Sequence, residues 1–392
     1  MDDQEREIRR DNARQWPVRK TFEEITEAEA EELLAPYWLD PTVNYPEPHY
    51  LLEYEGTGFS PLGGIQAISG QKKNGKTFVL VQLMAAILGA HSERVEALLH
   101  GLRVNENTLM WLGKEPTVLY VDTEMEQLNS AKVLRRVHWL CGWPQDEPNE
   151  RFRVLWLRQV EGDDEERAYE KRYRLIRRAI EWMKPTAVFI DGIRDIIGDF
   201  NDNTAASQLV TELMSVATRH SCCIWNVLHA NPRMQNDDEN KMRGHLGTEL
   251  GNKVSDTFVS VKKKDPGTGR VTFTVKQQDA RGKDVDDWTF EVTDDAGSGL
   301  GVPRIVGSAK AQGGADSGRQ AELKAVVDSL HIPVNGMRYG EIQAALKEQG
   351  RGNRYIQSFL NDALQGGLLS HDNYQKRYYK NKPKSDDNDM PF

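Results

Sequence analysis

The sequence is organised around a glycine-bounded loop that reads Gly70-Gln71-Lys72-Lys73-Asn74-Gly75-Lys76-Thr77. An apolar run of strand length, Ile65 to Ile68, precedes this loop, and a helical pattern, Thr77 to Leu88, follows it. The order of strand, G-x-x-x-x-G-K-[ST] and helix is that of a phosphate-binding loop. Its glycines let backbone amides turn towards phosphate oxygens, and the helix adds the positive end of its dipole. All eight residues are therefore candidates for binding a nucleotide.

Two side chains of the loop have predicted roles of their own. Lys76 is expected to reach the β and γ oxygens of ATP, and the Thr77 hydroxyl to bind Mg²⁺. A phosphate loop also needs a second carboxylate for the metal. The apolar strand Thr186 to Ile190 ends in Asp191, which we assign as that ligand; the alternative is an ordinary cap on the next turn. The sequence thus predicts ATP and Mg²⁺ as cofactors.

A further carboxylate is needed to position the attacking water. The strand Val118 to Val121 ends in Asp122-Thr123-Glu124. Both acids qualify by their position, and the alternative for both is that they cap the helix that follows, Asn129 to Leu140.

The order of these motifs resembles that of the RecA-fold hexameric helicases, the DnaB-type and plasmid RepA-type members especially. The resemblance covers about residues 46 to 300 and includes a fourth strand that ends Val227-Leu228-His229-Ala230-Asn231. It implies an α/β fold with a RecA-like P-loop NTPase core. It also implies that Glu124 is the general base, with Asp122 as the main rival, and that His229 senses the γ-phosphate, with Asn231 as second choice.

The resemblance further implies that loops after the strands hold DNA in the channel of a ring. Arg233, Lys241 and Arg243 follow the fourth strand and are candidates for binding DNA phosphates. The neighbouring acids at 237–239 support the alternative of a solvated charged loop. The loop after Asp191, with Arg194 and residues 198–203, is the second candidate.

Family members complete each ATP site with a lysine and an arginine from the neighbouring subunit, spaced K-x-R. Lys276 fits this pattern, but Gln278 stands where the arginine is expected. Arg281, three residues further on, is the candidate replacement; without it, the ATPase would be weak or would need a partner. The resemblance therefore implies a homo-oligomer, with a hexamer expected.

Composition divides the chain into five parts. A charged arm with a thin apolar stripe comes first, and a Gly, Ala and Ser-rich stretch later interrupts the α/β pattern. The predicted parts are an N-terminal arm that packs on something larger (1–45), the ATPase core (46–294), a flexible linker (295–318), a small C-terminal winged helix-turn-helix domain (319–383) and an acidic tail (384–392).

The C-terminal parts indicate further partners. The order of helices and short strands is that of a winged helix, with Asn353 to Leu364 in the recognition position. The stretch from Glu341 to Lys384 contains eight lysines and arginines and four acids. This positive net charge favours DNA binding, and the alternative is a module that docks on another protein. The last residues, Asp386 to Phe392, resemble the C-terminal peptide of bacterial single-stranded-DNA-binding proteins. That resemblance implies docking to a host replication or repair protein; the alternative is a simple solubilising end.

Overall composition excludes several classes of protein. Three cysteines, two of them adjacent (Cys222 and Cys223), provide neither a disulfide framework nor zinc spacing. No apolar run reaches about eighteen residues and the first residues are charged, so we expect a cytoplasmic protein without a membrane partner. The net charge of −9 confines nucleic-acid contact to local patches.

The patterns together predict an ATP-driven, ring-forming motor that acts on DNA, of the replicative or initiator helicase type of a mobile element or phage. The alternative is a non-translocating ATP switch, either a DNA-binding regulator or a recombination mediator. A nucleotide-binding interaction protein without DNA is disfavoured by the basic C-terminal part.

Overall fold

The chain divides into two compact units, Met1–Pro48 and His49–Phe392. The computed structural model describes residues 25–230, 242–295, 297–308, 323–324, 326–333, 336–349, 359–360, 363–364, 368–372 and 376–380. The predicted DNA-binding residues Arg233 and Lys241, the second-choice sensor Asn231 and the tail 384–392 therefore lie outside the described residues.

The described part of the first unit, residues 25–48, contains a short helix, α1, spanning Glu27–Leu34. Thr26 and Glu29 form a capping box at its start, which satisfies amide groups that the first turn leaves unpaired. A 3₁₀ turn, Ala35–Tyr37, follows. No side chain of residues 25–48 is buried, and Tyr37 and Trp38 are each more than two-thirds exposed. The predicted arm, residues 1–45, and its packing partner both stay predictions.

The second unit is built on strands and helices that alternate along most of its length. Its strands are β1 (Tyr50–Tyr54), β2 (Thr57–Pro61), β3 (Ile65–Gly70), β4 (Leu102–Val104), β5 (Val118–Asp122), β6 (Phe152–Trp156), β7 (Ala187–Asp191), β8 (Cys223–His229), β9 (Asp256–Lys264), β10 (Val271–Ala280), β11 (Trp288–Asp295), β12 (Leu300–Ser308), β13 (Met337–Arg338), β14 (Leu369–Asp372) and β15 (Arg377–Lys380). Its helices are α2 (Lys76–Leu88), α3 (Glu93–Leu98), α4 (Glu106–Leu112), α5 (Gln127–Leu140), α6 (Ala168–Met183), α7 (Asn203–His220), α8 (Gly244–Lys253) and α9 (Tyr339–Glu348).

Nine strands form the main sheet in the order β12-β11-β10-β9-β3-β8-β7-β5-β6. The strands from β9 to β6 run parallel, and β9 to β12 form an antiparallel extension. The α/β fold is thus confirmed. Because parallel strands end at the same edge, the phosphate loop after β3 lies beside the ends of β8, β7 and β5.

Both faces of the main sheet are covered. Helices α2 and α5, with the small antiparallel sheet β2-β1-β4, pack on one face, and α6, α7 and α8 pack on the other. Helix α2 buries eleven of its thirteen residues, whereas α6 buries only Ile176 and Ile180. The phosphate-loop helix is therefore anchored in the core, which fixes the position of the loop before it.

Two segments differ from the sequence prediction. Residues Leu300–Ser308, predicted as part of the linker, form β12, which pairs antiparallel with β11. Val302 and Ile305 are buried there, and Pro303 is tolerated because β12 is an edge strand. The sequence also predicts a polar loop from Pro232 to Gly247. Its last four residues belong instead to α8, which begins at Gly244 and buries Leu246 and Leu250.

The described part of the C-terminal region has its own small core. Strands β13, β15 and β14 form an antiparallel sheet, and α9 contributes Ile342 and Leu346 to an apolar cluster. Most of the predicted recognition helix, 353–364, lies outside the described residues, so the winged helix stays a prediction. Within the parts of the chain that the structure describes, no helix has the length and apolarity to span a membrane.

Candidate functional site

The phosphate loop joins β3 to α2 through two glycines that no other residue could replace without strain. Gly75 has φ +80°, and a Cβ there would lie 2.7 Å from the Phe273 ring; at Gly70 a Cβ would lie 2.8 Å from the Ser260 carbonyl oxygen. The side chain of Asn74 donates to the same carbonyl at 3.2 Å, and the Ser260 hydroxyl donates back to the Asn74 carbonyl. Strands β9 and β10 thus brace the loop from outside.

The Lys76 side chain lies inside the loop. Its ammonium donates to the carbonyls of Gly70 at 3.0 Å and Gln71 at 2.9 Å, and it lies 3.2 Å from His229 Nδ1. Burial lowers the Lys76 pKa, while the charges of Asp191 and Glu124 oppose that shift. The exposed tip of the loop consists of Gln71, Lys72 and Lys73. The ammonium is therefore placed where phosphate oxygens would enter.

His229 connects the loop lysine to the predicted base. It ends β8, directly beside Gly70 in the strand register. Its Nδ1 faces the Lys76 ammonium, which can only donate, so the proton of the neutral ring belongs on Nε2. That nitrogen lies 3.4 Å from Glu124 Oε2. The structure therefore brings Lys76, His229 and Glu124 into one contact chain.

Glu124 and Asp122 have different surroundings, although both follow β5. Asp122 is fully buried and accepts from the amides of Glu124 and Met125, both at 2.9 Å, and from the Ser130 hydroxyl. Glu124 is partly exposed, and the hydrogen bond with His229 is the main cause that lowers its pKa. Asp122 is thus occupied in shaping the turn, and the geometry favours Glu124 as the carboxylate that holds a water.

Asp191 ends β7 and meets the loop threonine. Thr77 Oγ1 donates to Asp191 Oδ2 at 3.2 Å, and the Tyr120 hydroxyl donates to the same oxygen at 3.1 Å. Burial, reinforced by the charges of Asp122 and Glu124, raises the Asp191 pKa to about 7. A nearby cation would favour its charged form. Tyr120 is a site residue that the sequence patterns missed, because its contact crosses from β5 to β7.

The pair Thr77 and Asp191 fits a magnesium ion. Hydroxyl and carboxylate oxygens are the hard ligands that Mg²⁺ prefers, and the Thr77 hydroxyl lies 3.2 Å from the Asp191 carboxylate. Mg²⁺ usually keeps several waters and substrate phosphates among its ligands, so it needs only one or two side chains from the protein.

The predicted intersubunit residues lie on and after β10. Lys276 faces Val259 in the register, and its charge opposes the burial-driven rise in the Asp287 pKa. The register shifts between Gln277 and Asp279, so Gln278 stands at an irregularity of the strand and is exposed.

Arg281, the candidate finger, contacts a helix end of its own chain. Its guanidinium donates to the carbonyls of Lys253 at 3.1 Å and Asn252 at 3.5 Å, at the end of α8. The structure therefore does not bring Arg281 to the phosphate loop of the same chain, and a role in a neighbour's site stays a prediction.

Two of the predicted DNA-binding arginines meet at one aromatic ring. The guanidinium of Arg194 lies 4.1 Å from the Phe200 ring centre, and that of Arg243 lies 5.8 Å from it. Both arginines are exposed and Phe200 is half-buried. The nearby acids have local partners, since Asp202 caps α7 and Asp199 accepts from the Asn201 amide. We call Arg194, Phe200 and Arg243 the Phe200 cluster.

The Phe200 cluster is joined to the nucleotide site by the backbone. The Arg243 amide donates to the His229 carbonyl at 3.1 Å. The Thr123 hydroxyl donates to Asp195 Oδ2 at 2.9 Å, and Asp195 directly follows Arg194 in the 3₁₀ helix Ile193–Ile196. His229 and Thr123 are thus each hydrogen-bonded to a segment that carries an arginine of the Phe200 cluster.

Comparison with known proteins finds a similar family and a similar solved structure. Residues 46–233 match the family model described as an AAA domain. The matched residues include the phosphate loop, so this part of the chain is similar to an AAA-type ATPase domain. A solved structure similar to the chain is that of a KaiC-like protein from the hyperthermophilic archaeon Pyrococcus horikoshii OT3, 13% identical, covering 67% of this chain and 99% of the other, with a TM-score of 0.41. No curated protein matches the chain. The ATPase assignment accordingly rests on the family match and the loop geometry.

Proposed function

We propose that this ATPase acts on DNA, as a ring-forming helicase of the replicative or initiator type of a mobile element or phage. The observation that carries the proposal is the position of His229. Its ring contacts Lys76 and Glu124, while its carbonyl accepts from the amide of Arg243 in the Phe200 cluster. A change at the γ-phosphate would therefore move a residue that is bonded directly to a basic and aromatic surface.

The ATPase chemistry in this proposal follows from the residues of the loop edge. Lys76 and the backbone amides of the loop bind the phosphates, and Thr77 and Asp191 hold Mg²⁺, which would neutralise charge that develops on the phosphoryl oxygens. Glu124, kept ionised by His229, orients a water for in-line attack and accepts its proton. His229 then registers the loss of the γ-phosphate through its contact with Lys76.

The DNA side of the proposal rests on charge and stacking. Arg194 and Arg243 offer exposed guanidinium groups that suit phosphate oxygens, and their Phe200 neighbour offers a ring against which a base can stack. The chain carries a net charge of −9, so a local cluster of this kind is the form that nucleic-acid contact would take. In the proposed hexamer, six copies would face a single strand in the channel.

The proposal is tested by ATPase assays with and without single-stranded DNA, together with a strand-displacement assay. We expect DNA to stimulate hydrolysis in the wild type, and Arg243→Ala to lose stimulation while keeping its basal rate. Arg153→Ala is the matched control, because Arg153 is an exposed arginine on the edge strand β6. Equal stimulation of the Arg243→Ala variant and the control would contradict the proposed DNA surface.

A second candidate is a non-translocating ATP switch, either a DNA-binding regulator or a recombination mediator. The observation that favours it is the pair of departures at the predicted intersubunit residues: Gln278 replaces the expected arginine, and Arg281 is engaged with the end of α8. A switch needs only slow hydrolysis, so it can dispense with a strong finger. DNA-stimulated ATPase without strand displacement would favour this candidate over the helicase.

A further inference from the structure

Tyr120 is a fully buried aromatic residue that contacts the proposed metal ligand. It lies on β5 two residues before Asp122, and β5 pairs with β7 so that Asp122 faces Asp191. The Tyr120 hydroxyl donates to Asp191 Oδ2 at 3.1 Å. A phenylalanine would fill the same volume without a hydroxyl that needs a partner, so the contact with Asp191 is what the hydroxyl adds.

The hydrogen bonds of the Asp191 carboxylate are distributed unevenly over its two oxygens. Oδ2 accepts from both Tyr120 and Thr77, which accounts for both of its in-plane lone pairs. No residue in the described ranges donates to Oδ1. Of the two oxygens, Oδ1 is therefore the one left to meet a cation or one of its waters.

We propose that Tyr120 is a positioning residue that fixes which oxygen of Asp191 faces the magnesium ion. The proposal rests on the proposed ATPase function. Thr77 lies on the phosphate loop and is itself a metal ligand, whereas Tyr120 is held by core packing on β5. Tyr120 is thus the donor whose position is independent of the bound nucleotide, and it keeps the carboxylate from rotating when the cation enters.

The Tyr120 hydroxyl has one proton to donate, and Asp191 Oδ2 accepts it. A hydrogen bond to a carboxylate is also stronger than one between neutral groups, so its loss should be measurable.

Tyr120→Phe tests the proposal through nucleotide binding rather than through turnover alone. A fluorescent ADP analogue is titrated into the full chain in EDTA, and Mg²⁺ is then titrated into the ADP complex. We expect metal-free affinity to stay within about twofold of wild type, and the half-saturating Mg²⁺ concentration to rise about tenfold, a change of about 1.4 kcal/mol. Tyr54→Phe, which removes the hydroxyl of another buried tyrosine on β1, should change neither value.

The outcomes separate this proposal from the one on which it rests. A Tyr120→Phe protein with wild-type Mg²⁺ dependence would overturn the positioning role and leave the ATPase proposal intact. Loss of metal-free ADP binding in the same variant would also overturn it, because Tyr120 would then support the loop as a whole. A wild-type protein whose ADP binding does not respond to Mg²⁺ would overturn the proposed metal site itself.

Discussion

Replacing Glu124 by glutamine should separate ATP binding from hydrolysis. The amide keeps the size of the side chain but cannot accept a proton from water, and general-base catalysis contributes about 10²- to 10⁴-fold. The Glu124 side chain is partly exposed, and its Oε2 lies 3.4 Å from His229 Nε2. We therefore expect hydrolysis to slow by that factor, with ATP affinity and folding stability close to wild type.

The matched comparison is Asp122→Asn. Asp122 is fully buried and accepts three hydrogen bonds. In asparagine an NH₂ group replaces one of the two accepting oxygens, so at least one of the three donors would face another donor. Losing a hydrogen bond to a buried charged group costs about 1.5–3 kcal/mol. Asp122→Asn should therefore lower the midpoint of thermal unfolding and weaken nucleotide binding, instead of slowing hydrolysis alone.

Single-turnover hydrolysis of radiolabelled ATP, fluorescent-nucleotide binding and thermal unfolding measure the three quantities for both variants. A Glu124→Gln protein that hydrolyses ATP at the wild-type rate would refute the assignment of the base. A stable Asp122→Asn protein that binds ATP normally and hydrolyses it slowly would transfer the role to Asp122.

Three further changes test the site and its surroundings. Gly75→Ala should weaken nucleotide binding at least about tenfold in a fluorescence titration, because the left-handed backbone costs about 1–2 kcal/mol and the new Cβ meets Phe273 at 2.7 Å; unchanged affinity would mean that the loop adapts freely. Burial raises the Asp256 pKa to about 6, so the folded state binds a proton more readily than the unfolded state between pH 3.8 and about 6. The free-energy cost of the buried charge is complete above about pH 6. The stability of wild type relative to Asp256→Asn should therefore rise by about 2 kcal/mol as pH falls from 7 to 4 in denaturant titrations; parallel pH profiles would contradict this. If the site is shared between subunits, mixing Arg281→Ala with Lys76→Ala protomers should restore more ATPase than either variant shows alone, whereas full activity of Arg281→Ala by itself would exclude it as the finger.

The sequence predicted the central elements of the fold because each carries a strong local signal. The strands that end at Asp122 and Asp191 are continuous apolar runs, which is how strands buried on both faces read. The other two central strands carry buried polar residues within their apolar runs, Gln66 in β3 and Asn226 in β8. Parallel pairing brings the polar ends of these strands to one edge. Lys76 and Thr77 were predicted from the loop motif, and Glu124 and His229 from the resemblance.

The elements that were missed have signals that point elsewhere. Strand β12 contains Gly301, Pro303 and Gly307, which are typical of loops, and its stability comes from pairing with β11. Helix α8 contains three glycines, which lower helix propensity, but Leu246 and Leu250 bury one face of it. The edge strand β6 is only five residues long. In each case tertiary contacts overrode local propensity.

Contacts between side chains from different strands could not be predicted from the sequence. The Tyr120 hydroxyl reaches Asp191 on the neighbouring strand, and Arg194 and Arg243 reach Phe200 from separate segments of the chain. Nothing in the spacing of these residues along the chain indicates that they meet. The division of roles between Asp122 and Glu124 belongs to the same class, since only the three donors around Asp122 distinguish the two acids.

The bracing of the phosphate loop by β9 and β10 bears on the entropy of nucleotide binding. Fixing the backbone of a flexible residue costs about 1–2 kcal/mol, and a loop that became ordered only around its ligand would lose affinity by that amount for each residue. Here Asn74 and Ser260 bond each other in both directions, and Phe273 packs against Gly75, so these contacts are made by protein atoms alone. The loop is ordered when the sheet folds, so ATP meets a preorganised surface. Its amides at 74 and 75 should accordingly exchange hydrogen slowly in the nucleotide-free protein, at a rate close to that of the nucleotide complex.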